Sequence, residues 1–271
     1  MNCLRLTRTV ASAPRRGTVL ALHGMMESGE TLRPASEVWA ADGWDVIAPD
    51  LRGHGGSPRW DPHDDRHPGD RLTDDVLDVL DEILDQPEAT GPVVLFGHSA
   101  GGGIAAAVAA KRSERVHGVL LEDPFWRLPV TRHQDRRVAR RAYAELLMRQ
   151  ALAFPELVEK GRRAHARWDP AELPAWARAQ HDADSALVLD GDVIPSPPWP
   201  DILSALDVAG VPVLVITGTG AHVGMTHEHR RLLTHHGADL ALVDGASHFV
   251  RRDDPTAFFE LTGTFLAAMT T

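Results

Sequence analysis

Short apolar runs alternate with longer amphipathic segments along most of the chain. The apolar runs have the length of buried strands, which predicts strands near residues 4–9, 18–22, 44–49, 93–97, 117–122, 211–217 and 239–243. Apolar positions at helical spacing predict helices near 30–42, 71–86, 101–112, 226–236 and 254–268. Strands and helices that alternate in this way are typical of a mostly parallel central sheet flanked by helices on both faces, which is an α/β fold.

The alternation stops between residues 124 and 205, where no strand pattern occurs. Apolar residues recur there at helical spacing in three stretches, near 138–151, 154–168 and 171–181. We therefore predict that residues 124–205 form a helical cap, inserted after the strand that ends near Glu122. The core domain then consists of residues 1–123 and 206–271.

A tight turn follows the strand at 93–97. The turn has the sequence G-H-S-A-G, from Gly97 to Gly101, and an alanine-rich helix comes directly after it. A strand that enters a helix through so short a turn strains the middle residue and leaves room only for glycine beside it. Ser99 is then exposed at the carboxyl edge of the sheet, at the positive end of the helix dipole. The pattern predicts that Ser99 is a nucleophile and that the Ala100 N–H donates to an oxyanion.

A second turn at the same edge of the sheet follows the strand at 18–22. It reads His23-Gly24-Met25-Met26, in which the glycine lets the chain turn sharply. We predict that the Met25 N–H is the second oxyanion donor. Packing of Met25 in the core is the alternative interpretation.

Four landmarks occur in this chain in the order of a known superfamily. They are the turn at His23, the glycine-rich segment 50–57 (D-L-R-G-H-G-G-S), the G-H-S-A-G turn and a G-A-S-H-F loop at 245–249. With these landmarks the chain resembles the α/β-hydrolase-fold superfamily, and within it the cap-bearing serine hydrolases of the esterase and lactonase kind. The resemblance implies that His248 is the general base for Ser99.

The acid of a Ser-His-acid triad is absent from the turn where most of the superfamily carries it. That turn reads Gly218-Thr219-Gly220-Ala221 and contains no carboxylate. Some members supply the acid from the end of the strand after the nucleophile helix, and this strand ends here in Glu122-Asp123. Neighbouring residues on a strand point to opposite faces, so at most one of the two reaches His248. We predict that Asp123 is the acid, with Glu122 and Asp244 as the alternatives.

A cap at this position roofs the pocket above the nucleophile in the superfamily. The resemblance therefore implies a substrate pocket lined by aromatic residues of the cap and by residues of the catalytic turns. The candidates are Trp126, Tyr143, Trp168, Trp176 and Trp199 from the cap and Gly24, Met26, His98 and Phe249 from the core. For each aromatic residue of the cap, packing of the cap on the core is the alternative interpretation.

The first predicted cap helix is rich in arginine. Arg132, Arg136, Arg137, Arg140 and Arg141 lie in or beside it. We interpret this group as a solvated helix face. Recognition of an acidic substrate tail is the alternative.

Composition limits the compartment and the class of partner. The 271 residues have a formal net charge of −10, which disfavours a nucleic-acid-binding surface. Cys3 is the only cysteine, so the chain has no internal disulfide. No apolar run reaches the ~18 residues of a membrane span, and the first 16 residues lack the apolar stretch of a signal peptide. We expect a cytoplasmic monomer or homodimer that binds a small-molecule substrate and neither nucleic acid nor a membrane.

Five histidines lie between residues 222 and 236, and they raise the question of a metal site. No two of them have the three-residue or four-residue spacing that places metal ligands on one face of a helix. We therefore expect no metal, and the proposed chemistry of Ser99 requires no organic cofactor.

Together these observations predict acyl transfer to water. The predicted enzyme cleaves an ester or lactone of a fairly apolar small molecule through an acyl-enzyme on Ser99. A thioester, an amide or the carbon–carbon bond of a diketone is cleaved by the same residue types in similar proteins, so these substrates remain alternatives. A member of the fold that only binds ligands is the alternative of another class.

Overall fold

The computed structural model describes residues 4–86, 90–128 and 136–270. Within these ranges the strands are β1 (Leu6–Thr9), β2 (Gly17–Leu22), β3 (Trp44–Pro49), β4 (Val93–His98), β5 (Gly118–Glu122), β6 (Val213–Gly218) and β7 (Asp239–Val243). They form one sheet in the spatial order β1-β3-β2-β4-β5-β6-β7. β1 is antiparallel to β3, and the other neighbouring pairs are parallel. The predicted α/β class and the predicted strands are confirmed.

Helices separate and follow the parallel strands. They are α1 (Arg33–Ala41), α2 (Pro68–Leu84), α3 (Ala100–Lys111), α4 (Arg136–Gln150), α5 (Phe154–Ala164), α6 (Leu173–Asp182), α7 (Ser185–Asp190), α8 (Trp199–Val208), α9 (His227–His235), α10 (Val250–Asp253) and α11 (Pro255–Ala268). Each predicted helix is confirmed. The sequence pattern did not predict α7, α8 or α10. Helices α7 and α10 are too short to show a helical period, and residues 199–205 were assigned to the predicted cap without a helix of their own.

Different helices cover the two faces of the sheet. Leu20 and Leu22 of β2 pack on the face that α2, α3 and α8 cover, whereas Val19 and Ala21 pack on the face of α1 and α11. Successive residues of a strand point to opposite faces, so a strand between two helical layers is buried on both sides. For this reason β2, β4 and β5 are buried throughout and read as nearly continuous apolar runs.

Four helices that lie between β5 and β6 in the chain pack mainly on one another. α4 contacts α6 and α7, and α5 contacts α6. A small apolar cluster of their own is formed by Leu157, Trp168, Leu173, Trp176 and Ala177. Helices α4 to α7 are the segment that we predicted to be a cap.

Helix α8 packs on the core instead. Its Ile202, Leu203 and Leu206 are buried in the main apolar cluster, and the helix contacts α3. The expected return to the core at residue 206 therefore falls inside α8. The division of the chain into a core and a cap stays a prediction, with α8 better assigned to the core.

The carboxyl ends of the parallel strands lie at the same edge of the sheet. Met25 follows β2, Ser99 follows β4, Asp123 follows β5 and His248 lies in the loop after β7. In parallel α/β sheets this edge is the place where ligands bind. The topology therefore brings the predicted chemistry to one location.

Candidate active site

Ser99 lies in the turn between β4 and α3 with a strained backbone. Its φ is 54° and its ψ is −119°, a conformation that residues with a side chain rarely adopt. A Cβ on Gly97 would lie 2.3 Å from the carbonyl oxygen of Gly101, and a Cβ on Gly101 would lie 2.5 Å from that of His23. The glycines are needed because backbone from two neighbouring turns approaches them closely.

Backbone strain is concentrated at this edge of the sheet. Among the described residues, the non-glycine residues with positive φ are Met26, Ser99, Asp123 and His222. Asp123 is the predicted acid, and the other three line one cavity. Strain of this kind costs of order 1–3 kcal/mol per residue and persists where the surrounding structure enforces it.

Asp123 and His248 are joined by a hydrogen bond. The distance from Nδ1 of His248 to Oδ2 of Asp123 is 2.5 Å, and Asp123 is completely buried. Oδ1 of Asp123 accepts from the hydroxyl of Thr217 at 2.7 Å, and Oδ2 also accepts from the Gly224 N–H at 3.0 Å. Burial raises the pKa of Asp123, but these hydrogen bonds and the charge of His248 outweigh it, so the pKa lies below its usual value. Asp123 is therefore ionised at neutral pH and holds Nδ1–H of His248, which leaves Nε2 for proton transfer.

The turn after β6 supports the acid instead of supplying one. Thr217 is in β6, and Gly224 follows the Gly218–Ala221 turn that lacks a carboxylate. Both donate to Asp123. The turn after β6 thus lacks a carboxylate of its own, and groups at the end of β6 and after it donate hydrogen bonds to the predicted acid at the end of β5.

The two alternative acids do not contact His248. Oε1 of Glu122 accepts from the Arg251 N–H at 2.8 Å and Oε2 from Nη1 of Arg251 at 2.5 Å. Asp244 is exposed and accepts from the hydroxyl of Thr219 at 2.8 Å. As expected from the alternation along β5, the carboxylates of Glu122 and Asp123 face different partners.

The loop around Met25 is held by hydrogen bonds from its backbone to the side chains of Glu27 and His54. The Gly24 N–H donates to Oε2 of Glu27 at 3.0 Å, and the Met26 N–H donates to Nε2 of His54 at 3.1 Å. Met25 lies between these two fixed N–H groups and lines the same cavity as Ser99. Ala100 follows Ser99 as the first residue of α3, so its N–H is at the positive end of that helix.

Two buried, neutral histidines, His23 and His54, form hydrogen bonds with the same loop. Nδ1 of His23 donates to the Gly24 carbonyl at 2.8 Å, and its Nε2 accepts from the Leu51 N–H at 2.9 Å. The His54 ring contacts the His23 ring at 5.0 Å. Burial lowers the pKa of both rings, that of His54 to about 3. Each ring therefore keeps one nitrogen free to accept a backbone N–H.

A buried group of charges lies directly behind the loop. Oε1 of Glu27 accepts from Arg251 at 2.6 Å and from Arg252 at 3.0 Å, and its Oε2 accepts from Nδ1 of His98 at 2.6 Å. These side chains are at most 3 % exposed. Burial raises the pKa of Glu27, but Arg251, His98 and Arg252 more than compensate, so its pKa is well below the usual value.

The same group of charges connects the catalytic loops with the cap. Nε2 of His98 lies 3.1 Å from the carbonyl oxygen of His248. Nε of Arg252 donates to Glu172, which precedes α6, at 2.7 Å, and the Arg252 guanidinium lies 4.4 Å from the ring of Trp168. Glu27 is therefore linked through Arg252 to Glu172, in the segment predicted to be a cap, and through His98 to the loop of His248.

Ser99 and His248 line a cavity of about 860 Å³ between the sheet edge and the segment predicted to be a cap. Most of the predicted pocket residues also line it: Gly24, Met26, His98, Trp168, Trp176 and Phe249. The predicted oxyanion donor Met25 is in its wall as well.

Three predicted pocket residues do not reach this cavity. Trp126 stacks on Trp199 with the ring centres 4.8 Å apart, and both belong to the main apolar core. Tyr143 packs at the cluster formed by Leu146, Ala183 and Val188. All three residues pack elements together instead of lining the pocket, which is the alternative that we gave for each of them.

Several polar residues of the cavity wall were not predicted from the sequence, among them Glu145, Arg167 and Asp253 and, on α4 and α6, Arg149 and Gln180. A signal was present for Arg149 and Gln180. Gln180 lies on the helix face of Trp176 and Ala177, and Arg149 lies one turn after the buried Leu146. A polar residue on the apolar face of a cap helix marks a position that faces either a partner or a cavity.

One family model matches more than half of the chain. The model of the family described as "Serine aminopeptidase, S33" matches residues 13–182. Lipase LipV of Mycobacterium tuberculosis is 36% identical over 122 residues, which are 45% of this chain and 41% of LipV. Phospholipase YtpA of Bacillus subtilis is 30% identical over 108 residues, 39% of each protein. The matched region thus spans about two fifths of each of these curated relatives.

Solved structures agree on the fold. The N-formylmaleamic acid deformylase of Pseudomonas putida superposes with a TM-score of 0.74 at 19% identity, over 95% of this chain and 94% of that one. The predicted α/β-hydrolase fold is confirmed.

In the described part of the chain, the helices are all too short or too polar to span a lipid bilayer.

Proposed function

Because the chain belongs to the Serine aminopeptidase, S33 family of hydrolases, we propose that it is a serine hydrolase that cleaves carboxylic esters or lactones through an acyl-enzyme on Ser99. One observation carries the proposal above all others. His248 is hydrogen-bonded to the buried carboxylate of Asp123 at 2.5 Å and shares a cavity with the strained Ser99. A nucleophile, a base and a group that orients the base are the parts that this chemistry needs.

In the first half of the proposed reaction, Oγ of Ser99 attacks the carbonyl carbon and Nε2 of His248 takes the hydroxyl proton. The N–H groups of Met25 and Ala100 donate to the oxyanion that forms. When the tetrahedral intermediate collapses, the bond to the leaving oxygen breaks and His248 gives that oxygen its proton. The acyl group stays on Ser99.

In the second half, a water molecule takes the place of the alcohol. His248 accepts a proton from the water as its oxygen attacks the acyl carbon. The second tetrahedral intermediate expels Oγ of Ser99, which regains the proton from His248, and the carboxylic acid is released. Asp123 stays ionised throughout and stabilises the imidazolium form of His248.

Esters are favoured over peptides as the substrate class. The relatives with 30% identity or more are named as a lipase and a phospholipase. An aminopeptidase must also hold the ammonium group of its substrate, and carboxylates of the cavity wall are engaged otherwise. Glu27 binds Arg251 and Arg252, and Asp253 accepts from Ser247 N–H and from Trp168 Nε1. Glu145, the third carboxylate of the wall, pairs with Arg141 at 3.1 Å and lies 3.9 Å from Arg149.

The proposal is tested by reaction of the intact protein with a fluorophosphonate, followed by mass spectrometry. The wild type should gain one phosphonyl group, and Ser99→Ala should gain none. A panel of para-nitrophenyl esters, lactones, thioesters and diketones then identifies the bond from the class that is turned over, and the mass trapped on Ser99 identifies the acyl group. A wild-type protein that forms no adduct and turns over no member of the panel would be a ligand-binding member of the fold and would overturn the proposal.

A further inference from the structure

A cationic side chain of α4 reaches the cavity of Ser99. Arg149 is in the last turn of this helix and lines the cavity with Ser99 and His248. Its side chain is 27% exposed. The arginines at the start of the helix differ from it, because Arg136, Arg140 and Arg141 are exposed and none of them lines the cavity. Arg132, the first of the predicted group, lies outside the described residues.

Arg149 is held in a defined position relative to the catalytic loops. Its Nη1 donates to Oε1 of Gln180 at 2.8 Å, and Nε2 of Gln180 donates to the carbonyl of Met26 at 2.8 Å. The ring of Trp176 lies 6.0 Å from the guanidinium carbon, at the limit of a cation–π contact. Two hydrogen bonds thus connect the guanidinium to the residue next to the oxyanion donor Met25.

The charge of Arg149 is only partly compensated. The closest approach of Glu145 is 3.9 Å, from Oε2 to Nη2, and the other oxygen of Glu145 lies 3.1 Å from Nε of Arg141. Arg251 is a useful comparison, since Glu122 and Glu27 lie 2.5 and 2.6 Å from its guanidinium. Burial lowers the pKa of Arg149 and Glu145 offsets this only in part, whereas the two carboxylates raise the pKa of Arg251 in spite of its burial.

We propose that Arg149 binds an anionic group of the substrate, so that the preferred ester carries a carboxylate or phosphate at the end remote from the scissile bond. The inference rests on the proposed function and specifies its substrate class. A guanidinium presents several N–H donors in one plane and binds two oxygens of such a group at once. The apolar walls formed by Trp168, Trp176 and Phe249 enclose the chain between the anion and the ester.

The test compares acidic and neutral esters of equal length. Mono-para-nitrophenyl adipate is the acidic substrate and para-nitrophenyl hexanoate the neutral one, and the succinate and suberate half-esters vary the distance to the anion. Charge-assisted hydrogen bonds predict that kcat/KM favours the best acidic ester by about tenfold to a hundredfold. A phosphonate-terminated ester of the best length distinguishes phosphate from carboxylate as the preferred anion.

Three variants assign the preference to Arg149. Arg149→Gln should abolish the preference for the acidic ester, because kcat/KM for the acidic ester falls by about tenfold to a hundredfold more than kcat/KM for the neutral ester. Glu145→Gln should increase the preference for the acidic ester, because the carboxylate that competes with the substrate anion for Arg149 is removed. Arg162→Gln is the matched control, since Arg162 is an exposed arginine of α5 outside the cavity, and it should keep the wild-type ratio.

The inference and the proposed function fail in different ways. Absence of a fluorophosphonate adduct contradicts the proposed function itself. A labelled enzyme without preference for an acidic ester of any length overturns only the role of Arg149. The same holds if Arg149→Gln lowers kcat/KM equally for acidic and neutral esters, because Arg149 would then have a structural role.

Discussion

Asp123 and His248 are 125 residues apart in the chain, yet Oδ2 of one lies 2.5 Å from Nδ1 of the other. The contact is possible because β5 and β7 are parallel strands of one sheet and end at the same edge. Thr217 and Gly224, at the end of the intervening β6 and after it, complete the surroundings of the carboxylate. The predicted acid thus lies at the end of β5, and donors from β6 and from the segment after it face its carboxylate.

Asp123→Asn should lower kcat for an activated ester by about 10³-fold to 10⁴-fold, because an amide at this position favours the wrong tautomer of His248. The fold should persist, since the amide keeps the size of the side chain. The measurement is kcat with a para-nitrophenyl ester, together with the circular dichroism spectrum. Asp244→Asn is the matched control at an exposed carboxylate of the neighbouring loop, and it should retain nearly all activity. A large loss in the control and a small one in Asp123→Asn would assign the acid to Asp244.

The fold and much of this site follow from local patterns. Apolar runs gave the strands, and the turns at Gly24 and Ser99 gave the edge where the chemistry lies. The end of β5 was predicted to carry the acid because some members of the superfamily that the chain resembles supply it there, and the alternation along the strand favoured Asp123 over Glu122. The structure places Asp123 against His248 and Glu122 against Arg251.

Other features could not be predicted from local patterns. The buried charges depend on Glu27, Glu122, Glu172 and Arg251, which come from four separate segments and meet only in the folded protein. For Trp126, burial could be predicted from the sequence but the packing partner could not. Its aromatic character indicated a buried position, but only the packing decides that it stacks on Trp199 and not on a substrate.

Glu27→Gln should separate catalysis from substrate binding. Glu27 fixes the Gly24 N–H beside the oxyanion donor and is held by Arg251, Arg252 and His98. A displaced donor stabilises the transition state less, so we expect kcat to fall about tenfold to a hundredfold while KM changes little. Affinity for a boronic acid transition-state analogue should fall in parallel.

The same variant should also be less stable, by on the order of 3 kcal/mol, because it removes one partner of a buried ion pair. Kinetics are therefore measured well below the melting temperature of the variant. Glu30→Gln is the control, since Glu30 is an exposed carboxylate that pairs with Arg33, and it should change neither kcat nor stability. A folded Glu27→Gln enzyme with wild-type kcat would refute this role of Glu27.

Acid should destabilise the protein through His54. The pKa of this buried ring is lowered to about 3, whereas a histidine in the unfolded chain titrates near 6.5. Between these values the unfolded state binds more protons than the native state. The free energy of unfolding should therefore fall as the pH is lowered from about 6.5 towards 3, by up to about 1.4 kcal/mol per pH unit for this one group. The lowered pKa values of Glu27 and Asp123 act in the same direction below about pH 5.

The contribution of His54 is measured with His54→Gln, which keeps an acceptor near the Met26 N–H but does not titrate. Urea unfolding at a series of pH values between about 7 and 4.5 gives the slope of stability against pH. The variant should have a smaller slope than the wild type. Equal slopes would mean that His54 takes up its proton in the native state as readily as in the unfolded one.

Two glycines of α3, two residues apart, should respond in opposite ways to alanine. A Cβ on Gly101 would lie 2.5 Å from the carbonyl oxygen of His23, a backbone atom that cannot move without shifting the turn before Met25. At Gly103 the nearest atom, in Pro195, is 3.6 Å away, which is an ordinary contact. Gly103→Ala should therefore stabilise the protein by roughly 0.5–1 kcal/mol through helix propensity and keep its activity.

Gly101→Ala should lower the melting temperature and slow the fluorophosphonate reaction of Ser99 by at least about tenfold, because both predicted oxyanion donors border the displaced backbone. Thermal unfolding and labelling rates measured on the pair decide the matter, and a Gly101→Ala protein as reactive as Gly103→Ala would show that the close approach of these turns is not required for the nucleophile.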